Sequence, residues 1–343
     1  MKISIILAAY NIEKYFQECL NSLYESISEF DEIIIVDDGS TDSTTDIASN
    51  AAEQHSQVIV HRKSNGGISS ARNDGLALAT GEYVIFADGD DAFIPETYKF
   101  ARNHLEQNGP DILVTDHLNW LDDGNGPCIA PQPRTHQPFV NCTNQTENLL
   151  ATLTDCMPCT WTRFIKRDLL KQFPPRPFSE NLMYDDLPLI PHITARASSL
   201  YYVPLPLIKY RSRPNSVTKS RSYRSCTDMV AAAAQASKAT QTLPLDTSMT
   251  LCADLMLARK TMEAIRQCRE VKNPSYRLYD EIIRTALTAF KSPPFDIYTA
   301  LRLSQSNHDR RIAKHIILIS LAKTAYIATQ ISLARIKQMQ RKK

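Results

Sequence analysis

The sequence predicts an α/β protein, a mostly parallel sheet flanked by helices, followed by a helical C-terminal region. Three observations carry this. Short apolar runs alternate with helical patterns over the first hundred residues. All nine glycines lie between Gly39 and Gly126, where turns and close backbone approach need them. Beyond that point proline is the punctuation, and Ala-, Leu- and Ser-rich helical patterns dominate.

The elements follow in order. "ISIILA" (Ile3–Ala8) reads as a buried strand and "EKYFQECLNSLYESI" as an amphipathic helix. "EIIIV" (Glu32–Val36) is a second strand, and Ser40, Thr41 and Asp42 offer N-caps to a helix after it. "VIVHRK" (Val58–Lys63) is a third strand, with a helix in "ISSARNDGLALAT". "YVIFA" (Tyr83–Ala87) is a fourth. β-Branched strands buried on both faces imply parallel pairing under helices. "DILVTD" (Asp111–Asp116) reads as a strand, "PCIAPQPRTHQPF" as a proline-rich loop, and "WTRFIKRDLLKQF" as an amphipathic helix. From Tyr223 the chain is helical, broken at Pro244, Pro274, Pro293 and Pro294.

The chain has 343 residues and a net charge of +2, so nothing draws it globally toward nucleic acid. Its eight cysteines form no framework, and "CMPC" (Cys156–Cys159) lacks the second ligand pair that zinc needs. No charged-then-apolar leader opens the sequence, which reads as cytoplasmic. The stretch 310–343 carries nine Lys or Arg and no acid. With Ile312, Ile316, Ile319, Ile327 and Ile331 on one face, it reads as a basic amphipathic helix suited to an anionic membrane surface. Packing on its own domain is the plainer alternative.

Ligands of parallel α/β sheets bind beyond the carboxyl ends of the strands. There the sequence places Tyr10 and Asn11, then Asp37 and Asp38, then Asp88, Asp90 and Asp91. In an extended segment Asp88 and Asp90, two apart, point the same way and can share one cation. Gly89 between them would let a ligand approach the backbone. Magnesium or manganese takes such oxygen ligands and shares them with phosphates. The same acids also read as a solvated loop capping the next helix. Asp38 is placed to accept an imide N–H or a ribose hydroxyl. Arg72 offers a fork of donors to a phosphate or a base edge, or an ion pair to Asp74.

Taken together, "AAYNIEKYFQECLNSLYES", "EIIIVDDGSTDST" and "NGGISSARNDGLALATGEYVIFADGDD" resemble the successive signatures of the family 2 glycosyltransferases, inverting enzymes of the GT-A (Rossmann-like) fold. The resemblance implies a GT-A domain over 1–225, with a nucleotide-sugar half at 1–100 and an acceptor half at 101–225. A helical region would fill 226–343. It implies a UDP-sugar donor, with Tyr10, Glu13 and Asp38 around the uridine and Arg72 near the base or phosphates. Asp88 would hold the ribose, and Asp90, with Asp88, a Mn2+ or Mg2+ bridging the diphosphate. "FSENLMYDDLPLI" resembles the family's acidic pair, with Asp185 where glutamate is usual and Asp186 as general base. "YRSRPNSVTKS" resembles the segment that closes over the donor, making Arg211 and Arg213 candidates for the diphosphate or sugar. This segment lacks the histidine that many relatives use as a further metal ligand, and His192 reads as an ordinary helix residue. Trp161 is a candidate acceptor platform or a core residue.

The task so implied is extension of a bacterial surface polysaccharide, on a glycan or lipid-linked acceptor, at the inner face of the cytoplasmic membrane. The alternative is a non-catalytic nucleotide-sugar-binding subunit of a glycan synthesis complex. A haloacid-dehalogenase-type phosphohydrolase also places a DxD after a strand, but Asp91 and Ala92 follow here. A sugar nucleotidyltransferase would need a glycine- and basic-rich loop where Ala8, Ala9, Tyr10 and Asn11 stand.

Overall fold

The computed structural model describes residues 1–122, 127–130, 159–180, 182–213, 221–241, 247–271 and 276–291. The chain divides into two compact units, Met1–Ser220 and Arg221–Lys343.

In the first unit four strands lie parallel: β1 (Ile3–Ala9), β2 (Glu32–Asp37), β3 (Val58–Arg62) and β4 (Tyr83–Asp88). Helices α1 (Glu13–Ser26), α2 (Thr44–Gln54) and α3 (Ile68–Leu78) connect them. β1 and β2 bury nearly every side chain, since helices cover both faces of the sheet. One core layer holds Ile3, Ile5, Leu7, Ile33 and Ile35 with Phe16 and Leu20 of α1. The opposite layer holds Ile6, Ile34, Val36 and Phe86 with Ala71 of α3. β2 lies on one side of β1 and β4 on the other. The carboxyl end of β1 is therefore a topological switch point, where the chain leaves a crevice.

Beyond β4 the sheet changes character. β5 (Ala92–Phe93), α4 (Pro95–Asn108), β6 (Ile112–Asp122), β7 (Pro127–Ala130), β8 (Arg163–Lys166), α5 (Arg167–Leu170), α6 (Asp186–Thr194) and β9 (Leu200–Ser212) complete the unit. The order is β3-β2-β1-β4-β8-β6-β9-β5, with β7 against β6. β8 runs antiparallel to β4 and β6, β5 antiparallel to β9, and β7 antiparallel to β6; β6 and β9 are parallel. The expectation of a mostly parallel sheet holds for β1 to β4 and gives way to mixed pairing in the rest.

Two sequence readings are corrected here. "WTRFIKRDLLKQF" is not one helix: Arg163–Lys166 is a strand between β4 and β6, and only Arg167–Leu170 is helical. "PCIA" is a strand, β7, whereas the remainder of that proline-rich stretch lies outside the described residues.

The second unit presents three helices, α7 (Tyr223–Gln241), α8 (Thr247–Cys268) and α9 (Tyr276–Ala289). They pack through alanines of α7, with Ser237 Oγ donating to the buried Asp254 of α8 at 3.0 Å. Pro244, Pro274, Pro293 and Pro294 fall between or after these helices, outside the described residues. The basic stretch 310–343 also lies outside them. Among the described residues no helix is long and apolar enough to cross a membrane.

Candidate functional site

The crevice at the end of β1 is built by crossed helix caps. The Ile12 N–H donates to Thr44 Oγ1 at 2.9 Å and the Glu13 N–H to Asp42 Oδ2 at 3.2 Å, so the loop after β2 caps α1. In return Glu13 accepts from the Ser43 N–H at 2.9 Å, and Asn11 accepts from the Thr41 N–H at 2.8 Å. Such caps satisfy donors that a helix start leaves bare. Of Ser40, Thr41 and Asp42, expected to cap α2, Asp42 does so, its Oδ1 accepting from the Thr44 N–H at 3.0 Å, while its Oδ2 and Ser40 serve the start of α1. Gly39 follows with φ of 78°, and a Cβ there would meet Asn65 N at 2.8 Å. That backbone favours glycine.

Tyr10 stands at the rim, half exposed. Asp38 is buried instead, accepting from Lys63 Nζ at 2.9 Å and from the Gly66 and Gly67 N–H groups at 2.9 and 2.7 Å. It thus holds the glycine pair before α3 with most of its accepting capacity in use.

The DGDD stretch is a turn rather than an extended segment. Asp88 closes β4, and the Asp91 N–H returns to the Asp88 carbonyl at 3.1 Å. A Cβ on Gly89 would lie 2.4 Å from Ile12 Cδ1 and 3.2 Å from Phe16 Cδ2, so glycine also suits the packing against α1. Asp88 Oδ1 accepts from Arg72 Nη2 at 2.9 Å. Asp90 pairs with the Arg213 guanidinium. Asp91 points inward, accepting from the Arg211 N–H at 2.8 Å, while its Oδ2 is buried without a partner. Burial, then the charge of Asp88, raises the Asp90 carboxyl; burial, then Asp90 and Asp88, raises Asp91 well above the carboxylate range.

Arg211 is deeply engaged. It donates to the Asp90 carbonyl at 2.8 Å and to Glu18 at 2.5 Å, and its guanidinium lies over Trp120 at 3.7 Å. It is buried and braces the acidic turn against α1 and β9. Arg213 is partly exposed and has a buried Nε without a partner.

The acidic pair comes from the far end of the unit. Asp185 occupies the cap position of α6 but makes no cap hydrogen bond. Its two oxygens instead accept from Arg72 Nη1, both at 3.0 Å. One buried guanidinium therefore joins Asp88 to Asp185, two acids 97 positions apart in the chain. The pairing of Arg72 with Asp74 considered from the sequence is not made; Asp74 pairs with Arg176 at 2.6 Å. Asp186 opens α6, and burial, then the charge of Asp185, raises its carboxyl to about 7. Arg72 and Arg163 pull the other way.

Trp161 is buried, stacked on Tyr210 with ring centroids 5.3 Å apart and edged by His117 at 4.6 Å. Both its sides are covered, which is the core placement. His192 packs edge-on to Phe173, and burial lowers it to about 4. Cys159 is a buried free thiol beside Arg163, and Cys156 lies outside the described residues. Sequence reasoning missed Arg163 and Asn73; arginine in a short apolar strand was the signal for the first.

Among the described residues no group of three or more His, Cys, Asp or Glu could hold a metal ion alone. The acidic turn nevertheless fits a hard cation shared with a ligand. Asp88 and Asp90 supply oxygen donors of the kind such a cation takes, and the arginines that now hold them, Arg72 and Arg213, mark the carboxylates as needing a positive partner.

Residues 4–173 match the family model described as Glycosyl transferase family 2. The chain belongs to this family. It is similar to the uncharacterized glycosyltransferase EpsJ of Bacillus subtilis, 30% identical over 225 residues, 63% of each chain. The chain thus spans a little under two thirds of that relative's length. It is 40% identical over 118 residues to the poly(ribitol-phosphate) beta-glucosyltransferase of Bacillus spizizenii, covering 33% of this family 2 chain and 19% of that one. Its fold is that of Staphylococcus aureus TarS 1–349, solved with UDP-GlcNAc, at a TM-score of 0.66 and 22% identity, covering 96% of this chain and 92% of that one.

Proposed function

We propose that this chain is an inverting glycosyltransferase that moves a sugar from a nucleotide donor, best read as a UDP-sugar, to a hydroxyl of a bacterial surface glycan. One observation carries the reading. Arg72 gathers the acidic turn after β4 and the acidic pair at the start of α6 into a single site. A donor-holding group and a base are thereby brought together.

In this reading Tyr10 offers a face to the uracil, and Glu13 and Asp38 shape the loops around the uridine. Asp88 faces the ribose, and Arg213 the diphosphate. Arg72 and Arg211, both buried, serve the donor through the acids they hold. Asp88 and Asp90 would hold Mn2+ or Mg2+. A cation there would offset charge developing on the departing diphosphate. Asp186 takes the acceptor hydroxyl's proton while that oxygen attacks the anomeric carbon, opposite the bond to the leaving nucleotide. A carboxyl near 7 is poised for this, because a base works best with its pKa near the working pH.

The family, the UDP-GlcNAc complex of TarS and the polymer named for the B. spizizenii relative support a glycan-building role. The basic stretch 310–343 supports a peripheral place on an anionic membrane, beside lipid-linked acceptors. The test is release of nucleotide from a panel of UDP-sugars, with and without Mn2+, by the intact protein and by Asp90→Ala. Metal-dependent turnover that Asp90→Ala loses is expected. Turnover and donor affinity unchanged in Asp90→Ala would remove the metal assignment; no turnover with any donor would remove the enzyme reading.

A further inference from the structure

The acidic pair is held to the rest of the site by one short stretch of α3, and this has a mechanistic meaning. Three consecutive residues, Arg72, Asn73 and Asp74, each take hold of the segment that leads into α6. Arg72 binds the Asp185 carboxylate through Nη1. Asn73, wholly buried, makes a reciprocal pair with Phe178: its Nδ2 donates to the Phe178 carbonyl at 3.0 Å and its Oδ1 accepts from the Phe178 N–H at 3.0 Å. It also donates to Glu180 at 3.2 Å. Asp74 accepts from Arg176 at 2.6 Å, and Arg176 donates in turn to Glu180 at 2.7 Å.

The held segment is stiff. Pro174, Pro175 and Pro177 fix φ at three positions around Arg176. The Phe178 ring is buried edge-on against Phe86 of β4 at 4.9 Å, with the Arg72 guanidinium 5.9 Å from its centroid. α3 packs closely on β1: a Cβ on Gly75 would lie 2.3 Å from Ile6 Cγ2. Packing and hydrogen bonds thus connect β1 and β4 through α3 to Asp185.

We propose that Arg72, Asn73 and Asp74 are positioning residues for the base: they fix where Asp186 stands relative to the donor end of the site. This rests on the glycosyltransferase reading above. Asp185 is in the pair to be gripped, and Asp186 is left to react. The arrangement explains why "RND" in α3 bears on chemistry although Asn73 is sealed from any substrate. Misplacement of a reacting group by about 1 Å costs on the order of 10²-fold in rate.

The decisive variant is Asn73→Ala, with Asp74→Asn as the milder partner. Both leave every donor-facing residue in place. For Asn73→Ala we expect kcat with the active UDP-sugar to fall about 30-fold, while UDP affinity by calorimetry stays within about threefold. Hydrogen exchange should rise in residues 182–194 and not in β1 to β4. Asp74→Asn should show the same pattern more weakly. Parallel loss of UDP affinity and kcat, with exchange raised throughout the first unit, would show a merely structural role and overturn the proposal. So would a kcat unchanged from the parent protein. If the parent protein turns over no donor, the glycosyltransferase reading fails by itself. The exchange pattern then still decides whether α3 holds the 182–194 segment.

Discussion

Replacing Asp186 by asparagine separates what the carboxyl does from what it costs the fold. In the unfolded chain an aspartate titrates near ~3.9. In the folded protein burial and the neighbouring Asp185 raise Asp186 to about 7. Between those values the folded protein keeps a proton that the unfolded chain has released. This group's contribution to stability is therefore fully present below about 4 and is lost as pH rises through about 7. Three units correspond to about 4 kcal/mol as a ceiling. The side chain is mostly buried but still reached by some solvent, which screens part of this, so about 2 kcal/mol is the expectation.

Asparagine is similar in shape and never ionises. At pH 8 Asp186→Asn should be more stable than the parent by about 2 kcal/mol, or about 4–8 °C in Tm for a unit of this size. Near pH 3 the two should melt within about 1 °C of each other, since the carboxyl is then protonated in the folded and the unfolded chain alike. Thermal unfolding at the two pH values, without donor or metal, measures this. Turnover should move oppositely. The variant should lose about 10²–10⁴-fold in kcat, and the parent's kcat should rise about tenfold from pH 6 to pH 8. Equal destabilisation of Asp186→Asn at both pH values would refute the raised carboxyl. Retained turnover would refute the base.

Three further outcomes follow from the same structure. Burial works against the charge of Glu32, but hydrogen bonds from Lys2, Ser4 and Thr80 bring its carboxyl down to about 2; its stabilisation is present above about 4.5 and lost as pH falls through about 2, so Glu32→Gln should cost about 2–3 kcal/mol at pH 7 and nothing near pH 2, read by urea unfolding. Gly89→Ala should cost about 1–3 kcal/mol through the clash with Ile12, and Ile12→Ala in the same chain should restore UDP binding by making room, a rescue that a ligand-contact role for Gly89 would not allow. Deleting 310–343 should abolish cosedimentation with anionic vesicles and leave UDP affinity unchanged; equal sedimentation by both forms would assign that stretch to packing instead.

The first hundred residues were legible because local and tertiary signals agree there. Ile3–Ala9, Glu32–Asp37 and Tyr83–Asp88 are apolar on both faces, and a parallel strand under helices is the stable outcome for such runs. The second half was less legible because its strands are specified by partners. Arg163–Lys166 has the composition of a helix start; it becomes a strand because β4 and β6 each leave an edge that its backbone completes. At the site, motif positions placed Asp88, Asp90 and Asp186 together, yet no spacing rule could say that Arg72 would reach Asp185 rather than Asp74. Gly89 shows the converse. Its identity was plain, but its packing reason, the closeness of Ile12 and Phe16, exists only once α1 has docked.

Charge balance explains why the crevice can be so acidic before any ligand arrives. Asp88 and Asp185 pair with Arg72 and Asp90 with Arg213, while Asp91 takes the Arg211 backbone N–H and the Arg211 guanidinium pairs with Glu18. Breaking a buried pair by removing one partner costs about 3–5 kcal/mol, so Arg72, paired with the buried Asp185, is a fixed part of the fold. Arg213 differs: it is partly exposed, it lies at the end of β9, and its Nε lacks a partner. In the proposed reading, a cation at Asp90 would compete with Arg213, and a diphosphate bound with that cation would offer Arg213 a replacement for the carboxylate it gives up. Donor and cation would then gain most by arriving together, since either alone would leave Asp90 or Arg213 with a charge unmatched.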